Sequence, residues 1–235
     1  MRVVVSVGGS VLAPDLRADR VREYAECLEA LADAGHEVAA VVGGGGVARE
    51  YIDTAREVGA NEGQLDQLGI EVTRINARLL IAALPDRANP TPFEGYEPAT
   101  AALTRGELVV MGGLVPGQTT DAVGAALAEY SEADLLVYAT SVPGVFDADP
   151  NEEAGATRYG ELSAAALVAL VADGESLGSA GSSAPIDLLA AKIVQRSGLR
   201  TYVLDGSDPE RIRRAVETGE FEGTEIRPDG TDGER

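Results

Sequence analysis

The chain has no tryptophan, and aromatics make up only 4% of its 235 residues, so its core has to be assembled from Val, Leu, Ile and Ala. One cysteine, Cys27, excludes an internal disulfide; its spacing from Tyr24 and Leu31 places it on the buried face of a helix. One histidine, His36, excludes a His/Cys metal cluster and any Ser–His–Asp set assembled away from it. It sits at a helix-to-strand junction (AGHEV), which favours a structural role. One lysine, Lys192, leaves arginine as almost the whole positive charge, 19 basic residues against 39 acidic ones and a net charge of −20. A chain so poor in lysine and so acidic has no basic face for nucleic acid. No apolar run approaches the ~20 residues that span a bilayer. The start has neither the basic region nor the cleavage site of a signal peptide, and the first strand is expected from Arg2, so cytoplasm is the expected compartment. Two phosphate-binding patterns are missing as well: GxxxxGK[ST], and GxGxxG after a first strand.

Apolar residues make up 45% of the sequence, enough for one large α/β domain or two lobes sharing a sheet. The excess of carboxylates fits either an ordinary acidic enzyme or a chain adapted to molar salt. At ~1 M salt the Debye length is ~3 Å, so dense surface carboxylates repel one another little and stay hydrated.

Val-rich runs at 2–7, 37–42, 107–111, 134–139 and 200–204 read as buried strands of a parallel sheet. Helical patterns lie between them, near 17–34, 47–58, 65–84, 120–131, 163–172, 185–197 and 208–217. This alternation predicts βαβ units, an αβα sandwich with a mostly parallel central sheet. A hairpin-like insertion at 143–159 interrupts it. The polar end, 227–235, is expected to be disordered.

Glycines fall where three of the predicted strands end: Gly8-Gly9-Ser10, Gly43–Gly46 and Gly112-Gly113. Open α/β sheets bind ligands at that edge, and glycine lets the backbone bring N–H groups close to phosphate. One such turn only closes a βα loop; three at one edge suggest a site for several phosphates. The chain has few groups suited to acid–base work, and phosphoryl transfer to a phosphate acceptor needs no protein base. A monoester's second pKa is about 6, so its oxygen is already anionic.

Four segments, taken in order, resemble the amino acid kinase superfamily: the first strand with GGS (3–10), VVGGGGVAR (41–49), GGLVPGQTTDAV (112–123) and ATSVPGVFDADP (139–150). With DQLGIEVTRINARLL (66–80) they are most similar to its uridylate kinases in their archaeal form. The match runs from about residue 2 to 226. The resemblance implies ATP-dependent phosphorylation of UMP by a homohexamer, with Mg²⁺ arriving with ATP and no metal site of the protein's own. Residues 1–125 would form an N-terminal lobe binding UMP, and 126–226 a C-terminal lobe binding ATP. Gly9, Ser10 and Gly45 would cradle the ATP phosphates, and Arg49 would reach the transferring phosphate. Gly44 and Asp66 would bind UMP, with Asp66 at the ribose, and the loop Leu114, Val115, Pro116, Gly117, Gln118, Thr119 and Thr120 would hold its phosphate and part of the uracil. Thr140, Ser141, Phe146 and Asp149 would hold adenosine, and Asp121 would organise the cationic groups around the reacting phosphates.

Each residue also has a plainer reading. Asp66 suits a helix-surface acid, Asp121 a helix cap or first-turn charge, Asp149 before Pro150 a turn, and Arg49 a solvated side chain. Two departures from the family pattern stand out. Ser6 occupies the place of a Lys found in many members, and Ser141-Val142-Pro143-Gly144-Val145 replaces the usual N-V-D-G-V. Other readings of the same motifs are isopentenyl phosphate kinase, which needs a pocket His that His36 is misplaced to supply, and a non-catalytic anion-binding protein.

Overall fold

The structure, a computed structural model, describes residues 1–148, 150, 153, 155–176 and 185–230, with backbone alone for 174–176. Its strands are the Val-rich runs: β1 (Arg2–Val7), β2 (Glu37–Val42), β3 (Val109–Met111), β4 (Leu135–Thr140) and β6 (Thr201–Asp205). β-Branched residues fit a pleat that is covered on both faces, and β1, β2 and β4 are buried along nearly their whole length. Two further strands, β5 (Glu161–Ser163) and β7 (Gly223–Arg227), complete a sheet of order β3-β2-β1-β4-β6-β7-β5. All pairs are parallel except β6–β7.

Helices cover both faces. Val3, Val5 and Val7 pack against α2 (Ala18–Asp33), α4 (Glu62–Ala82) and α9 (Glu210–Thr218) through Tyr24, Leu28, Leu80 and Ile212. Val4, Ala39 and Leu136, of opposite pleat parity, pack against α5 (Tyr96–Thr104), α6 (Thr120–Tyr130), α7 (Ala164–Ser176) and α8 (Leu188–Ser197). The three-layer αβα sandwich expected from the alternation is present. Two short or site-facing helices, α1 (Gly9–Leu12) and α3 (Gly45–Glu57), open directly behind the glycine turns of β1 and β2.

The order of the strands sets the site. The chain runs outward from β1 through β2 to β3, then returns to lay β4 on the other side of β1. The crevice beyond the carboxyl ends of β1 and β4 is therefore the topological switch point, where open α/β sheets bind ligands.

Two expectations change. The third strand is shorter than 107–111, because Leu108 makes only an isolated bridge to Ala88. The polar end starts later than residue 227: Arg227 pairs with Ser163 in the sheet, and Asp229 accepts from Ala165 N at 2.8 Å and Gln195 Nε2 at 2.9 Å. Residues 231–235 lie outside the described residues. The insertion at 143–159 is a hairpin as expected, with an antiparallel bridge between Phe146 and Arg158.

Candidate active site

Behind β1 and β2 the two glycine turns touch through bare backbone. A Cβ on Gly9 would lie 2.4 Å from Gly45 N and from Gly43 O, and one on Gly45 would lie 2.6 Å from Gly9 C. Gly44 is right-handed (φ −83°, ψ −30°) and Gly45 left-handed (φ +65°). That succession turns consecutive N–H groups toward one side and forms an anion nest. Among the described residues, the N–H groups of Gly9, Ser10, Gly44, Gly45 and Gly46 have no acceptor. The N-terminus of α3, 13 residues long, adds its partial positive charge at the same place.

The third turn meets the same helix that backs the second. Asn76, in α4, donates to Gly43 O at 2.9 Å and Gly44 O at 3.2 Å. Thr73, three residues earlier, accepts from Gly113 N at 2.6 Å, and Arg74 donates to Gly113 O at 3.2 Å while pairing with Glu94. Asp66, two turns nearer the start of α4, is exposed and accepts from Gly117 N at 2.7 Å. One helix thus holds both ends of the loop from Gly113 to Gly117. Gln118 reaches Tyr96 Oη at 2.9 Å. Val115 and Pro116 are exposed at the loop's tip, and Leu114 is half-buried at its root.

Thr119 caps α6, accepting from Ala122 N at 3.1 Å, and its hydroxyl also donates to Asp187. Asp187 in turn caps α8 through Ala190 N at 2.9 Å. The two helix starts are tied together by their caps. Asp121 is therefore not the cap of α6. Its carboxylate turns inward and accepts the hydroxyl of buried Ser6 at 3.0 Å, while Tyr138 donates to its backbone oxygen at 3.0 Å. Burial pushes the Asp121 carboxyl up to about 7; the Ser6 hydrogen bond opposes this, and the negative charge of Asp187 adds to it. Burial likewise raises the Tyr138 phenol well above its ordinary value. Thr120 lies beside the second glycine turn, its Oγ1 3.5 Å from where a Gly43 Cβ would be.

On the far wall, Gly8 N donates to Ala139 O at 2.9 Å and joins the ends of β1 and β4. Thr140 closes its own turn, with Oγ1 2.9 Å from both Val142 N and Val142 O. Ser141 is exposed and Phe146 half-buried at the start of the hairpin. Asp149 lies outside the described residues. Arg49, in the second turn of α3, is exposed and has no ion pair among the described residues. Lys192 is exposed on α8.

His36 immediately precedes β2, at the edge of the sheet opposite the glycine turns. Cys27 is buried, its thiol donating to Pro209 O at 3.2 Å and pushed up to about 12 by burial. Sequence reasoning missed Thr73, Arg74, Asn76 and Asp187. Spacing puts Thr73 on the same helix face as Asp66, but it names neither a partner nor a crevice.

A sequence model of the amino acid kinase family matches residues 1–205. The uridylate kinase of Haloarcula marismortui is 65% identical over 229 residues, covering 97% of this chain and 100% of that protein. The uridylate kinase of Halobacterium salinarum is 64% identical over 232 residues, covering 99% of this chain and 95% of that one. The crystal structure of uridylate kinase from Archaeoglobus fulgidus matches with a TM-score of 0.85 at 46% identity, over 96% of this chain and 100% of that chain. With an αβα sheet, glycine turns at its switch point and relatives matched end to end, this chain belongs to the amino acid kinase family and, within it, to the archaeal uridylate kinases.

Proposed function

We propose that this chain transfers the γ-phosphoryl group of ATP directly to the phosphate of UMP, yielding UDP and ADP. An acceptor phosphate oxygen forms the new bond to Pγ as the bond from Pγ to the β,γ-bridging oxygen breaks. The observation that carries this reading is the nest at Gly9 and Gly44–Gly46, whose N–H groups have no acceptor among the described residues, next to a helix, α4, from which Thr73 and Asp66 hold the loop after β3. Two polyanions brought into line there need positioning and charge, and no nucleophile of the protein.

In this reading Gly9, Ser10 and Gly45 cradle the ATP phosphates, and Gly44, Asp66 and the loop 114–120 hold UMP. Thr140, Ser141, Phe146 and Asp149 hold the adenosine. The lobe formed by 1–125 is then the acceptor side and that formed by 126–226 the donor side. Ser6 replaces a cation with a neutral hydroxyl already committed to Asp121, so Arg49, exposed and without an ion pair among the described residues, supplies the missing charge. Its planar fork can engage two phosphate oxygens. Asp121, tied to Ser6 and next in charge to Asp187, holds the first turn of α6 at the acceptor loop.

Magnesium fits as an ion that arrives with ATP. Among the described residues no three His, Cys, Asp or Glu side chains gather to hold one, so its ligands would come mainly from phosphate oxygens. When bound, it would offset the charge of the phosphates that Gly9, Ser10 and Gly45 would cradle. Among the described residues no helix is long and apolar enough to cross a membrane; a cytoplasmic homohexamer is the assembly and compartment proposed with the family.

A coupled assay with MgATP and a panel of UMP, CMP, AMP and isopentenyl phosphate tests this. Strong preference for UMP is expected, because a site built to hydrogen-bond one base leaves buried polar groups unpaired with another. Equal use of CMP, preference for isopentenyl phosphate, or no turnover at all would each overturn it.

A further inference from the structure

Asn76 has no role in the scheme above, yet it is a polar side chain only 3% exposed, in the middle of α4. Its amide nitrogen donates to two successive carbonyls, Gly43 O at 2.9 Å and Gly44 O at 3.2 Å. Those carbonyls belong to the peptide units whose N–H groups are Gly44 and Gly45. Among the described residues every peptide is trans, and in a trans unit C=O and N–H point in opposite directions. Drawing both carbonyls onto α4 sends both N–H groups away from it.

The turn cannot hold this orientation by itself. Glycine populates left- and right-handed backbone about equally, so a peptide unit between two glycines flips at little cost. Gly44 O keeps a second partner, Ala48 N at 3.4 Å, but Gly43 O has no other donor among the described residues. The Gly43–Gly44 unit therefore depends on Asn76 alone. A side-chain amide suits the task, since it offers two N–H donors and adds no charge beside a polyanion site.

We propose that Asn76 is a positioning residue: by holding the Gly43 and Gly44 carbonyls it aims the Gly44 and Gly45 N–H groups at phosphate in the crevice. The proposal deepens the phosphoryl-transfer reading and rests on it for the identity of the anion, so its test measures anion binding and leaves turnover as a separate readout.

Asn76→Leu keeps the branching and heavy-atom count of the side chain and removes its donors. The probe is inorganic pyrophosphate, titrated into the full-length chain and followed by calorimetry and by amide NMR. The variant is expected to bind pyrophosphate about tenfold more weakly, the value of roughly one hydrogen bond to a charged group. In the wild type, the Gly44 and Gly45 amides should shift on titration. In the variant those two responses should vanish while that of Ser10, on the facing turn, persists, a pattern that general loosening of the fold would not give. Unchanged affinity in a folded variant, or parallel loss at Ser10, Gly44 and Gly45, would overturn the role. Should the variant fail to fold, the wild-type titration still decides: Gly44 and Gly45 amides that do not respond to pyrophosphate would overturn it. Pyrophosphate behaviour as expected without UDP formation by the wild type would remove the kinase reading and leave the nest and Asn76 standing.

Discussion

On the β1–β2 side of the crevice the wall is backbone, with Gly9 and Gly45 in contact, Asn76 of α4 holding the second turn, and Thr73 and Asp66 holding the loop after β3. On the β4 side the wall is a hairpin held by side chains as well as by its own backbone bonds. Thr224 in β7 accepts from Val145 N at 2.9 Å and donates to Tyr159 O at 2.6 Å, while Asp147 accepts from Thr157 N at 2.7 Å further out. On the proposed reading the contrast separates two tasks. Aligning reacting phosphates demands groups fixed to tenths of an ångström, which touching backbone provides. Holding a nucleoside tolerates a looser frame, and the hairpin's departures from the family pattern fall on that looser side.

The largest expected effect asks whether charge on the rigid side drives turnover. Arg49→Ala should lose ~10³-fold in turnover while staying folded, and Lys192→Ala should change it less than about tenfold. Turnover measured at saturating UMP and MgATP checks this, and the reverse ranking would move the essential cation to α8. The rigid wall itself is probed by Gly45→Ala, which puts a Cβ 2.6 Å from Gly9 C in a left-handed position. It should cost about 1–3 kcal/mol in a denaturant titration. Gly46→Ala, which meets nothing within 4 Å, should change stability by less than about 1 kcal/mol. Similar costs for the two would mean that the turns are not locked together.

The two sides should then separate in kinetics. Asp66→Ala should raise the Michaelis constant for UMP about tenfold and leave that for ATP nearly unchanged, since a charged hydrogen bond to Gly117 is lost. Thr224→Val should act on ATP more than on UMP. If both variants affected the two substrates alike, the division of the crevice into acceptor and donor walls would fail.

A smaller effect concerns Asp121, raised from its ordinary 3.8 to about 7. Between those values the folded chain holds a proton that the unfolded chain has lost. This contribution to stability is fully present below pH ~4 and is lost as pH rises through ~7. Asp121→Asn cannot ionise, so its melting temperature should gain on the wild type as pH rises across that window and level off above it. A difference independent of pH would remove Asp121 as the buried acid. Salt should act on both walls alike, because the charge is spread over the chain. With a net charge of −20, and relatives from Haloarcula marismortui and Halobacterium salinarum, the melting temperature should climb gently from low salt to about 1 M KCl. A flat or falling curve would argue against salt adaptation.

What the sequence made readable follows from how each feature is encoded. β1 and β2 were legible to the residue because a continuous valine run has few other uses. β7 was not: only Thr224 and Ile226 among its non-glycine residues are buried, and its charged Glu225 and Arg227 resemble a tail. α5 was hidden by its nine residues and by Pro98, harmless in a first turn but a breaker on paper. The glycine turns announced themselves, since glycines clustered at strand ends are rarely idle. Asn76 and Thr73 did not, because a lone Asn or Thr in a helix says nothing until the fold shows what its face meets. The Asp187–Thr119 tie joins residues 68 positions apart and has no local signature.

The contact between Gly9 and Gly45 also bears on how such a site can change over generations. Each occupies the space that a methyl group on the other would need, so neither position has a tolerance of its own. A substitution at one is harmful whatever the other is, and no second change at its partner can make room, because glycine is already the smallest residue there is. The pair is a dead end for stepwise variation, while the exposed carboxylates around it can be gained or lost one at a time. The surface can therefore change step by step while this contact, at the centre of the proposed site, stays as it is.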